Sequence, residues 1–227
     1  MTLIISGIPV EVCKKDVKNM LLYVKPPSGK VSVSAPLSTS RESIEYFVKS
    51  KTKWIKKQME KFENHVNQKE QKYVTGETMF VWGKKYTLKT EYGDKKSLNI
   101  SGKNLILTFR KNGTTAQKEK YVREWYRKIT KEEITKILPK WEKKTGLTAE
   151  SWQVKYMTSR WGSCKPKKRN ICLSLLLAKK NPEYLEYVIL HELLHFLERG
   201  HNERFYNLMY KYMPNWKEIR KELNSID

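Results

Sequence analysis

The sequence predicts an α+β protein in two parts, a strand-rich N-terminal region over residues 1–112 with one long helix and a largely helical region over 113–227. Three observations predict it. Short apolar runs separated by glycine- and proline-containing turns fill the first part. From about Thr115 the apolar period changes to that of a helix. A late helix, apolar around most of its circumference, carries His191-Glu192-Leu193-Leu194-His195.

In the first part, Leu3–Ile5 and Val10–Val12 flank Gly7 as a hairpin, and Met20–Val24 and Lys30–Ser34 flank a Pro26-Pro27-Ser28-Gly29 turn. Thr39 and Glu42 have capping-box spacing. Behind them Ile44, Phe47, Val48, Ile55, Met59 and Phe62 keep helical period, which predicts one amphipathic helix over 40–63, with His65 a surface residue at its end. Residues 64–72 read as a polar linker. Strands follow at Thr78–Trp82, Lys85–Glu91, Ser97–Ile100 and Asn104–Phe109, with Gly83, Gly93 and Gly102 at the turns.

In the second part, Val122 to Trp141 predicts one or two helices ending at Gly146, with a break or kink at Pro139. Ser151–Met157 and Asn170–Leu176 read as strands joined by a glycine- and lysine-containing connection. Asn181 and Pro182 open the motif helix, expected over 182–198. Two further helices are expected near 202–212 and 215–224. No internal repeat is evident in the sequence.

The bulk composition narrows the function classes. With 46 Lys and Arg against 24 Asp and Glu the formal net charge is +22, which attracts polyanions and acidic proteins in a salt-dependent way. Non-specific DNA binding is one reading of that field, and a solvated lysine-rich surface is the other. Lysine far outnumbers arginine, which disfavours bidentate base recognition. No run of about 18 apolar residues is present to span a membrane. Three cysteines without a CxxC pair argue against a disulfide framework or zinc ribbon, and with no signal peptide at the N-terminus the expectation is cytoplasmic.

The motif helix carries the chemistry. Residues four apart lie nearly above one another, so His191 and His195 share a face and one ion, while Glu192 sits about 100° around the helix, beside the ion without occupying it. That is the placement of a general base next to catalytic zinc. A buried pair of histidines and a glutamate is costly unless a cation satisfies them. Catalytic zinc takes three protein ligands, and Gly200 offers a turn that presents His201 as the third. Glu198, Glu203, Glu218 and Glu222 are the rivals for that position.

The stretch Arg160-Trp161-Gly162-Ser163-Cys164, the strand at Asn170–Leu175, the HELLH motif and His201 followed by Phe205 together resemble the YgjP-like (WLM, SprT-related) metallopeptidase family. The segment from Val24-Lys25-Pro26 through Ala35-Pro36 to Trp54-Ile55 resembles that family's N-terminal region. The resemblance implies a zincin-like catalytic domain holding one Zn2+ on His191, His195 and His201, with Glu192 as base. It also implies a link to DNA-associated proteolysis, known for some SprT relatives, although the chain lacks the C-terminal zinc ribbon that those relatives often carry. Through the resemblance, Ile171–Leu175 is expected to form the rim strand on which an extended protein or peptide substrate pairs, or else to be an ordinary core strand.

Other residues stay open between roles. Arg160 is a candidate for the oxyanion or a substrate carboxylate, or for a structural pair with a glutamate. Tyr206 is a further oxyanion candidate, and Trp161 is read as core. Cys164 is a buried support for the turn, a fourth zinc ligand, or a catalytic thiol. The functional expectation is a zinc-dependent peptidase. Its rivals are a basic nucleic-acid-binding module with a structural zinc and a zinc hydrolase of a non-peptide amide.

Overall fold

The structure is a computed structural model that describes residues 1–25, 29–66 and 71–225. The predicted turn at Pro26-Pro27-Ser28, residues 67–70 of the predicted linker and the side chains of Phe62 and His65 lie outside the described residues. The chain is a mixed α+β protein that divides into two compact units, Met1–Glu70 and Gln71–Asp227.

In the first unit, strands β1 (Thr2–Ile5), β2 (Ile8–Lys15), β3 (Leu21–Lys25) and β4 (Lys30–Pro36) form a sheet in the order β1-β2-β4-β3. Alternation sends Leu3, Ile5, Val10, Val12, Val31, Val33 and Ala35 to one face, where they share a core with Ile44, Val48 and Ile55. Those last residues come from two helices, α1 (Arg41–Ser50) and α2 (Thr52–Val66), in place of the single helix expected over 40–63. The hydroxyl of Ser50 donates to the Phe47 carbonyl and that of Thr52 to the Val48 carbonyl, side-chain bonds that compete with the helical ladder where it breaks. The cap is Ser40, one residue later than Thr39, and it accepts from the Ser43 N–H.

In the second unit, β5 (Thr78–Val81), β6 (Lys84–Tyr92), β7 (Ser97–Ser101) and β8 (Asn104–Phe109) form a sheet in the order β5-β6-β8-β7. Its pairings run antiparallel, parallel, antiparallel, as those of the first sheet do. Each sheet opens on a two-residue hairpin with both residues left-handed, Ser6-Gly7 and Trp82-Gly83. Each is followed by a helix capped by a hydroxyl, Ser40 or Thr114. The expected absence of an internal repeat is therefore corrected at the level of structure: the two sheets share one topology.

Helix α3 (Thr115–Thr145) begins on a full capping box between Thr114 and Gln117, runs through Pro139 without a break, and stops at Gly146 in the left-handed conformation. Strands β9 (Ser151–Lys155), β10 (Gly162–Lys165) and β11 (Asn170–Ser174) form a third sheet in the order β10-β11-β9. Helices α4 (Pro182–Leu194), α5 (Glu203–Tyr212) and α6 (Trp216–Ser225) complete the unit. One core joins Leu88, Leu105 and Leu107 of the second sheet to Tyr126 and Ile134 of α3 and to Leu185, Ile189 and Leu193 of α4. Strands β5–β8 thus belong with the motif helix, and the boundary expected near 112 falls inside a unit that begins at Gln71. Among the described residues no helix is long and apolar enough to cross a membrane.

Candidate metal centre

Helix α4 is fixed at its start. Asn181 caps it by accepting from the Glu183 N–H, and Pro182 occupies the first turn. The Trp82-Gly83 hairpin turn leans on the same point: the Trp82 N–H donates to the Ala178 carbonyl at 2.7 Å, and a Cβ on Gly83 would stand 3.3 Å from the Asn181 backbone. The rest of α4 is buried on nearly every side, through Leu185, Val188, Ile189, Leu190, Leu193 and Leu194. Into this apolar setting the motif places Glu192, 5% exposed, and His195, 8% exposed.

The helix ends at Leu194 with His195 as its C-cap, short of the predicted Glu198. The reversal to His201 is made without help from Gly200, whose φ is not left-handed and whose absent Cβ would meet nothing within 4 Å. Glu198 makes it instead. Its carbonyl accepts from His195 Nδ1 at 2.8 Å, and its carboxylate accepts from the Asn202 amide at 3.0 Å and pairs with Arg204 at 3.0 Å. Asn202 then caps α5 by accepting from the Phe205 N–H. Glu198, a rival ligand, is thereby spent on holding the loop, and Glu222 accepts from the Tyr184 hydroxyl.

His191, His195 and His201 come together, the one group of His, Cys, Asp or Glu among the described residues arranged to hold an ion. His191 Nε2 lies 3.2 Å from His195 Nε2 and 3.0 Å from His201 Nε2. Two ligands about 2.0–2.1 Å from a tetrahedral zinc stand about 3.3 Å apart, so both separations from His191 fit that donor set, and all three ligand atoms lie within 4.8 Å of one another. The bond from His195 Nδ1 to the Glu198 carbonyl leaves Nε2 with its lone pair free, as a metal ligand requires. Phe205, buried on α5, forms the common wall: it stacks on the His195 ring at 4.8 Å and meets His191 and His201 edge-on. In the sequence Phe205 carries no signal of this role beyond its place in the motif of the family resemblance.

Electrostatics separate the members. Burial first, then the neighbouring histidines, push His191 down to about 3, so it stays neutral and able to ligate. Burial lowers His201 as well. Burial raises Glu192 to about 8, against the opposing pull of a hydrogen bond from Cys164 and the charge of Arg160. Arg220 on α6 also acts on both His191 and His201, a cation near the site that the sequence analysis did not single out.

Glu192 lies beneath β10. A Cβ at Gly162 would stand 2.6 Å from Glu192 Oε1 and 2.7 Å from a Val188 methyl, so the strand approaches the helix this closely only because residue 162 is glycine. Cys164, two positions on, presents the same strand face, and its thiol donates to the Glu192 carboxylate. Burial and that carboxylate push the Cys164 thiol up to about 12, so it remains protonated. This argues against the catalytic-thiol reading, and Cys164 stands outside the three-histidine group.

The remaining candidates sort by position. Arg160 is exposed and forms no ion pair among the described residues, while its charge acts on Glu192. Trp161 is half-buried and packs on the core, as expected. Tyr206 is sandwiched between rings, 6.3 Å from His201 and 5.2 Å from Trp216, an arrangement that braces His201. The expected rim strand, Ile171–Leu175, corresponds to β11, which is paired on both edges and has no backbone left for a substrate. The open edge nearest Glu192 is β10, which the sequence analysis read as a connection.

No curated protein matches the chain. A crystal structure titled as the metallopeptidase zymogen of Pyrococcus abyssi abylysin is similar at 18% identity and a TM-score of 0.38, over 40% of this chain and 92% of that one. The family model of the YgjP-like metallopeptidase domain matches residues 18–226, and on that span, which takes in all three histidines and Glu192, the chain belongs to the YgjP-like metallopeptidase family.

Proposed function

We propose that the chain is a zinc-dependent peptidase in which His191, His195 and His201 hold one zinc ion and Glu192 is the general base. The observation that carries this reading is the convergence of three imidazole Nε2 atoms beside a buried carboxylate that none of them neutralises. Zinc supplies Lewis acidity there and lowers the pKa of water at the site. Glu192 takes the proton of the attacking water on a carboxylate oxygen and passes it to the leaving amine nitrogen. Glu192, which burial otherwise keeps protonated, would be ionised beside a bound cation.

The substrate is an extended peptide that adds to the open edge of β10. The Ser174 N–H donates to the Trp161 carbonyl at 2.8 Å, which makes that pair hydrogen-bonded. By the alternation of an antiparallel ladder, the backbone groups of Gly162 and Cys164 then face the open edge, beside Glu192.

The test is metal analysis together with hydrolysis of an unstructured protein by the wild type and Glu192→Gln. Stoichiometric zinc in both, with cleavage by the wild type alone, is the expected result. Freshly purified wild type without bound metal would overturn the proposal.

A further inference from the structure

Beyond the site, three lysines follow one another closely at the end of one edge strand of the third sheet. Strand β10 runs from Gly162, against Glu192, directly into Lys165, Pro166, Lys167 and Lys168. The three lysines are exposed, and none forms an ion pair among the described residues. The adjacent Arg169 is used structurally, donating to the Thr148 carbonyl at 2.7 Å and lying over the Phe196 ring. Glu150 stands at the same end of the sheet, its N–H donating to the Arg169 carbonyl at 3.0 Å, and it forms no ion pair with the three lysines. Lys165 also reaches inward electrostatically: with Lys155 and Arg160 it opposes the burial that raises the Cys172 thiol on β11.

An open strand edge and a run of exposed lysines outside any ion pair among the described residues thus form one continuous feature that starts at the candidate base. Antiparallel addition is the more stable way to extend a sheet edge. A peptide paired that way runs opposite to β10, so moving from Gly162 towards Lys168 means moving towards the peptide's N-terminus. Resting on the peptidase reading above, we propose that the edge of β10 selects acidic substrates, with Lys165, Lys167 and Lys168 receiving Asp or Glu residues on the N-terminal side of the cleaved bond. Backbone pairing supplies the shape, and the lysines, flexible point charges, supply selectivity without fixed geometry. Lysine on an edge strand also deters unwanted strand pairing, a role that needs no acidic partner.

Cleavage of a peptide library by the zinc-loaded enzyme, with sites mapped by mass spectrometry, tests this. A matched pair of peptides carrying three glutamates or three glutamines on the N-terminal side then gives the selectivity ratio. Exposed ion pairs of this kind predict a ratio of about three- to thirtyfold at low salt, shrinking as salt is added. The triple variant Lys165→Gln, Lys167→Gln, Lys168→Gln should bring the ratio to about one. In parallel, fluorescence anisotropy reads binding of both peptides to zinc-loaded Glu192→Gln protein. Equal cleavage of the two peptides overturns the acidic preference and leaves the peptidase reading standing. Preferential binding of the acidic peptide, lost in the triple variant, without cleavage by the wild type supports the docking surface and overturns the peptidase reading. An acidic preference that survives the triple variant overturns the lysine assignment. Loss of duplex DNA affinity in that variant, with no peptide preference to lose, assigns the lysines to nucleic acid and overturns the proposal.

Discussion

Replacing Gly162 with alanine tests whether the position of Glu192 is set by β10. The added Cβ would lie 2.6 Å from Glu192 Oε1, 3.0 Å from its Cγ and 2.7 Å from the Val188 methyl. Ordinary carbon contacts begin near about 3.5 Å, so three neighbours must each give by about half an ångström or more. Val188 is buried in α4 and has little room, which leaves the Glu192 side chain to move. Residue 162 is not among the left-handed glycines, so the penalty is steric and carries no backbone component. Overpacking of this kind costs about 1–3 kcal/mol of stability. A catalytic group displaced by about 1 Å costs about a hundredfold in rate. The assay is kcat and KM on a fluorogenic peptide together with zinc content and the thermal midpoint. Expected are unchanged zinc, a modest fall in Tm and a kcat reduced by about a hundredfold. A variant that holds zinc and keeps kcat within about twofold would refute the claim that the contact with β10 positions the base.

Phe205→Ala removes the wall shared by three imidazoles, and should cost about 3–5 kcal/mol of stability and weaken zinc retention, read by thermal unfolding and chelator competition. Glu198→Ala leaves the carbonyl that holds His195 but frees Asn202 and Arg204, so zinc affinity should fall by about ten- to a hundredfold, and unchanged affinity would deny the loop its role. Metal-free protein should be most stable, as far as His191 and Glu192 govern it, between about pH 4.5 and 6.5. The stability that neutral His191 contributes is present above its ordinary 6.5 and is lost as pH falls towards about 3. That of protonated Glu192 is present below its ordinary 4.5 and is lost as pH rises through about 8. Glu192→Gln should therefore lose less stability than wild type between pH 6 and 9 in chelator, and parallel melting curves would contradict the assignment.

What was legible in the sequence followed from periodicity and local chemistry. The HELLH spacing puts His191 and His195 on one face whatever surrounds them, and the Asn181-Pro182 start and the Gly146 stop use the backbone rules they announce. Three things were not legible, each for a physical reason. Strand β10 is short and built of glycine, serine, cysteine and lysine, residues of low or neutral strand preference, and pairing with β11 makes it a strand. The turn to His201 looked like a glycine's work because Gly200 stands in the right place, yet the hydrogen bonds of Glu198 and Asn202 make the reversal. The shared topology of the two sheets is faint in sequence because cores tolerate exchange of one apolar residue for another. Thr2-Leu3-Ile4-Ile5-Ser6-Gly7 and Thr78-Met79-Phe80-Val81-Trp82-Gly83 agree in apolar character at every position except the turn residue, Ser6 against Trp82, and that match was the available signal.

The two copies of that sheet differ where function would require it. In the second copy the turn residue is Trp82, and its N–H and the close approach of Gly83 engage the start of the motif helix. At the corresponding place in the first copy stands Ser6, and a Cβ on Gly7 would meet nothing within 4 Å. The second sheet therefore acts as a buttress for α4, which is held at its start by this hairpin, along its flank by Gly162, and at its end by the Glu198 carbonyl and α5. A helix fixed at three points cannot shift to relieve the charges it buries. The folded chain instead keeps His191 neutral and Glu192 protonated, and a divalent cation among the three imidazoles would favour both neutral histidines and an ionised glutamate. Rigidity around the motif and the perturbed ionisation of its members are thus two consequences of the same packing.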